Sequence, residues 1–138
     1  MAVCCMAKSD RDHALQLLEM ASKDQIASAN MLDRQGFSEE VFGFHTQQAV
    51  EKALKAWLAA LHCAYPKTHD VSVLVRTLRD AGADLAKFAD LEDYTVFAVQ
   101  YRYEAFDPNE APLDRKKVAG ETATLLSHVR NIIDRSLT

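Results

Sequence analysis

The chain is poor in the residues that break or staple a backbone. Four glycines and three prolines in 138 residues leave little material for tight turns. A many-stranded sheet is therefore disfavoured, and a few long elements are expected. The three cysteines, Cys4, Cys5 and Cys63, have no recurrent spacing, and adjacent cysteines rarely pair with each other. This excludes a disulfide framework and points to free thiols in a reducing cytoplasm. A metal at Cys4–Cys5 would need two further ligands, and only distant histidines offer them, so no metal and no cofactor is expected. Positive charge is not in excess: 16 Lys and Arg stand against 20 Asp and Glu, a net charge of −4. That argues against a broad electrostatic nucleic-acid binder, while a local basic patch stays open. Lys52, Lys55, Lys67, Arg76 and Arg79 do gather in the middle third. No run approaches the roughly 20 apolar residues of a membrane span. The opening MAVCCMA is short and lacks the basic residues of a secretory signal. Residues 1–8 read as a flexible tail on a cytoplasmic protein.

What remains is ordinary globular material, 49% hydrophobic and 26% charged, enough for one domain over residues 9–138. Ala14, Leu17, Leu18, Ala21, Ile26, Ala29 and Leu32 recur at helical spacing and predict a first helix over 9–35, stopped by Gly36. Ser38 as N-cap, with Glu39 and Glu40 in the first turn, opens a second helix over 38–64 that Pro66 ends. At 1.5 Å per residue that helix is roughly 40 Å long, the spine of the domain. A third helix over 71–80 is capped by Asp70 and stopped by Gly82, and a short turn follows over 84–88. A fourth helix is predicted over 91–104, a loop over 107–112 and a fifth helix over 114–136. The buried face of that last helix comprises Val118, Ala119, Leu125, Leu126, Val129, Ile132 and Ile133. Long amphipathic helices on short loops give an all-α, antiparallel, up-and-down bundle of four to five helices.

The second helix carries the most unusual chemistry. His45, Gln48, Lys52 and Lys55 are spaced three, four and three apart, on one face beside the apolar stripe Val50, Leu54, Trp57 and Leu61. Such a row presents itself to a phosphate-bearing ligand, to a partner or to solvent. Trp57, Phe42, Phe44 and Phe97 read as core or dimer contacts.

The blocks FHTQQAVEKALKAWL, THDVSVLVRTL and YRYEAF, in that order, resemble the HEPN domain family (higher eukaryotes and prokaryotes nucleotide-binding) over roughly residues 10–134. The resemblance implies a four- or five-helix bundle, usually a homodimer. It is often encoded beside a small nucleotidyltransferase with which it forms a toxin–antitoxin or related system. Many members are metal-independent ribonucleases that carry an Arg, a polar residue and a His four to six residues after the Arg, at a site where two subunits meet. This sequence departs from that pattern. Arg102 is followed by Tyr103, Glu104, Ala105, Phe106, Asp107, Pro108 and Asn109, and Arg130 comes after His128, in the wrong order.

Metal-free RNA cleavage needs a base for the 2′-hydroxyl, an acid for the leaving oxygen and a cation on the phosphate. Arg102 offers the cation or, equally, an ion pair with Glu51 or Asp107. His69 offers acid–base chemistry or a place in the turn before the third helix, whose N-terminus suits an anion. Lys52 and Lys55 are a solvated pair, with Glu51 bonding Lys55 at i, i+4, or they line a polar cleft. The cleft reading joins His45, Gln48, Glu51, Lys52, Lys55, His69, Arg102 and Tyr103, names no catalytic residue, and expects Lys52→Ala to abolish binding without loss of stability. The expected function is a nucleotide- or RNA-associated interaction module that works with a partner nucleotidyltransferase in a toxin–antitoxin-type system. The alternative is a metal-independent ribonuclease toxin with a rearranged dimer-interface site, using Arg102 with His45 or His69. A plain helical scaffold with a solvated polar face is the third possibility.

Overall fold

The computed structural model describes residues 8–90 and 114–135. Its elements are α1 (Lys8–Ala29), α2 (Glu39–Ala60), α3 (Val71–Asp80), a 3-10 turn (Ala86–Phe88) and α4 (Arg115–Arg135), with no strand among the described residues. The chain is an all-helical bundle. The fourth helix predicted over 91–104, with Phe97, Arg102 and Tyr103, lies outside the described residues, as do residues 1–7.

α2 is the spine, packed against α1, α3 and α4, and α1 also packs on α4. Cross-helix bonds give the directions. Asp24, late in α1, meets His45 and Lys52 of α2, whereas His13, early in α1, meets Tyr65 just beyond the end of α2. α1 and α2 are therefore antiparallel. Glu39 and Arg115 join the starts of α2 and α4, and Trp57 and His128 join their later turns, so these two helices run parallel.

The core is the shared apolar stripe. Ala14, Leu18 and Ala21 of α1, Val50, Ala53, Leu54, Trp57 and Leu58 of α2, Leu74 and Leu78 of α3 and Leu125, Val129 and Ile133 of α4 are all buried. In α3, Val71, Leu74, Val75 and Leu78 follow i, i+3, i+4, i+7, and all four are buried. Trp57 and Phe42 are core residues, as expected from sequence. Ile26 and Leu32, expected in the core, are exposed. Ile26 sits about 80–120° around α1 from the buried Ala14 and Leu18, and Leu32 lies past the end of the helix.

Two helix ends differ from the sequence reading. α1 stops at Ala29, seven residues before Gly36. Beyond it, the buried Arg115 guanidinium donates to the carbonyls of Met31 and Asp33 at 2.7 and 3.3 Å, bonds that carbonyls left free of the helix can accept. Ser38 does cap α2, accepting from the Val41 N–H. α2 ends at Ala60, however, well before Pro66, and spans about 33 Å at 1.5 Å per residue. The reason is a Schellman ending: the N–H of Cys63 bonds the Leu58 carbonyl, the N–H of His62 bonds that of Ala59, and His62 sits at φ 61°. α3 ends in the same motif at Gly82, φ 89°. The start of α3 is as read, with Asp70 accepting from both the N–H and the hydroxyl of Ser72.

Candidate functional site

The polar face of α2 divides in two. Toward α1, Asp24 receives His45 Nδ1 at 3.0 Å and Lys52 Nζ at 2.7 Å, all three side chains being partly buried. Toward α3, the buried Glu51, whose side chain is 4% exposed, collects three donors. Gln47 Nε2 reaches Oε1 at 2.9 Å, Lys55 Nζ reaches Oε2 at 3.0 Å, and His69 Nδ1 lies 3.2 and 3.1 Å from the two oxygens. The four residues expected on one face span about 80° of helix at 3.6 residues per turn. That spread lets His45 and Lys52 reach one neighbouring helix while Lys55 turns to the opposite edge. His45 and Lys52 are thus a staple between α1 and α2 rather than members of a common cleft with Lys55. Gln48 is half-buried and makes none of these bonds.

The Glu51 group is built mostly from successive turns of α2. Gln47, Glu51 and Lys55 are four apart, so they stack along one line. His69 comes from the connection into α3 and is clamped twice, through its ring on Glu51 and through its carbonyl, which takes the second N–H of Gln47 at 3.0 Å. Its side chain is nevertheless 78% exposed, so the far edge of the imidazole faces outward. Behind Lys55, the Tyr65 ring lies 5.7 Å from Nζ, and the Tyr65 hydroxyl meets His13 Nε2 at 2.6 Å. Gln47 Oε1 is buried without a hydrogen-bond partner among the described residues.

The N-terminus of α3 does not act as an open anion site. The Ser72 hydroxyl holds the Asp70 carboxyl below the usual carboxylate range against the opposing effect of burial, helped by the N–H groups of Ser72 and Val73 and by the Arg76 charge. The negative charge suited to that helix end is the protein's own.

Sequence reasoning placed Glu51, Lys55 and His69 together and missed Gln47 and Asp24. Gln47 was legible from its four-residue spacing to Glu51. Asp24 was not, because its partners lie across a helix pair whose rotation no local pattern shows. Among the described residues no group of three or more His, Cys, Asp or Glu side chains is arranged to hold a metal ion, and no helix is long and apolar enough to cross a membrane.

No curated protein and no solved structure gives a significant match to the chain. The HEPN domain family model matches residues 14–137, nearly the full length. With that match and an all-helical bundle around α2, the chain belongs to the HEPN domain family.

Proposed function

We propose that this HEPN domain is a nucleotide- or RNA-associated interaction module. It acts as a homodimer in the cytoplasm, together with a partner nucleotidyltransferase in a toxin–antitoxin-type system. The observation that carries the reading is the division of the α2 polar face. His45 and Lys52 serve the bundle, and the Glu51 group leaves one outward-facing histidine backed by a buried carboxylate and an ammonium. Such a surface suits a small polar ligand better than a long polyanion, in keeping with the net charge of −4. Family membership supports the nucleotide or RNA association. The absence of any Arg with a His at the ribonuclease spacing supports binding over cleavage.

A single observation favours the ribonuclease alternative: His69 is exposed and carboxylate-backed, as an acid–base histidine must be. Induced expression in a bacterial host, with and without a nucleotidyltransferase encoded beside the chain, separates the two. The module reading expects no growth arrest from the chain alone and co-elution of the two proteins. Growth arrest with cleaved RNA, relieved by an Arg102→Ala protein that circular dichroism shows to be folded, overturns it in favour of the ribonuclease.

A further inference from the structure

We propose that His69 is the proton-accepting group of this surface, presented through Nε2. In this proposal the buried Glu51 is its positioning residue, and the ligand group it meets is a ribose hydroxyl of a nucleotide. The choice of ligand rests on the nucleotide reading above; the pair itself rests on distances alone.

The tautomer follows from the donors around Glu51. Gln47 Nε2 and Lys55 Nζ can only donate, and they occupy Oε1 and Oε2 at 2.9 and 3.0 Å. A carboxylate so engaged only accepts. His69 Nδ1, 3.2 and 3.1 Å from the same two oxygens, must therefore carry the hydrogen. A neutral imidazole has one N–H, so the ring's lone pair is on Nε2, the nitrogen turned away from Glu51. The backbone is held as firmly, because the His69 carbonyl takes the remaining N–H of Gln47. This fixes a ring that is 78% exposed in one tautomer, the arrangement by which a buried carboxylate orients an acid–base histidine.

The same clamp indicates what the ligand brings. Both hydrogens of the Gln47 amide are used, and Gln47, 1% exposed, keeps an Oε1 with no partner among the described residues. Gln47 Oε1 is itself buried, so the acceptor turned outward is His69 Nε2, and the Lys55 ammonium is bonded to the same carboxylate that holds the ring. An outward acceptor beside a cation suits an O–H donor on a molecule that also bears negative charge, which is the chemistry of a ribose phosphate.

Long-range proton–nitrogen NMR on the full-length labelled protein, at alkaline pH, tests the pair directly. His69 should show the Nδ1–H pattern, opposite to the tautomer that histidine prefers in water. Glu51→Gln should move it toward the solution pattern. Titration with AMP should shift the Nε2 resonance, and 2′,3′-dideoxy-AMP, with the same base and phosphate, should not. An Nε2–H pattern in the wild type overturns the pair. Equal shifts from both nucleotides overturn the hydroxyl contact. The Nδ1–H pattern with no response to either nucleotide upholds the pair and overturns the nucleotide as its ligand.

Discussion

Two carboxylates organise the polar residues of α2, and their surroundings give them different work. Asp24 lies between helices and ties His45 and Lys52 across the α1–α2 seam, whereas Glu51 lies beneath an exposed ring and orients it. A third histidine behaves differently again. His128 stands edge-on to Trp57 and Phe88, with ring centroids 4.9 and 5.2 Å away. Burial pushes its affinity for a proton below the ordinary histidine range, and the charges of Lys87 and Arg135 push the same way against Asp84. With the folded value below the unfolded one of about 6.5, the unfolded chain binds more protons as pH falls through that value. Stability from this group is full above about pH 6.5 and is lost as pH drops toward the folded value. Urea midpoints measured between pH 8 and 5 should fall less steeply in His128→Gln than in the wild type. At this scale the sequence was partly legible. The Glu51–Lys55 pair is an i, i+4 spacing anyone can count, whereas the bond from Glu51 to His69 joins residues 18 apart through a turn whose path no spacing rule gives.

The helices show why one end of an element can be read and another cannot. α3 is bounded by Asp70 and Gly82, each suited by its own chemistry to the conformation it adopts, and the sequence reading found both. α2 ends in the same Schellman geometry with His62 where a glycine is the usual choice, so nothing local announced the stop. His62 Nδ1 lies 3.6 Å from Asp10 Oδ2 at the start of α1, a contact that tethers the ring without a hydrogen bond. A left-handed conformation disfavours a side chain by about 1 kcal/mol relative to glycine. His62→Gly should therefore stabilise the protein by up to about 1 kcal/mol, less the small value of the Asp10 contact. Chemical denaturation compares the two proteins. A clear destabilisation would mean that the tether outweighs the backbone strain.

At the scale of the whole molecule, the principal polar tie among the described residues is Arg115. At 3% side-chain exposure it bonds the buried Glu39 through Nε and Nη2, each at 2.7 Å. It also takes the Met31 and Asp33 carbonyls and covers the Phe42 ring at 5.3 Å. One side chain thus fastens the start of α4 to the start of α2 and to the loop after α1. Arg115→Ala leaves a buried carboxylate and two carbonyls without this partner, so a loss of about 3–5 kcal/mol is expected, read as a fall in thermal midpoint. Its bonds span 76 to 84 residues, which is why the sequence showed the helices and their apolar faces but not this tie. The bundle itself was legible because long apolar periodicities agree with each other along the chain.

The functional claim that follows from this architecture is that the ligand surface lies at His69 and Glu51, while Lys52 belongs to the scaffold. Calorimetric titration of AMP into wild type, Lys52→Ala and His69→Ala, each with its thermal midpoint recorded, tests it most directly. Lys52→Ala should bind as the wild type does while losing about 1 kcal/mol of stability with its partly buried ion pair. His69→Ala should lose about 1 kcal/mol with its bond to the buried Glu51, a loss similar to that of Lys52→Ala, and should lose binding at least tenfold. Binding abolished by Lys52→Ala in a protein of unchanged stability, with His69→Ala binding normally, would contradict the claim and return the site to the face of α2 that carries His45.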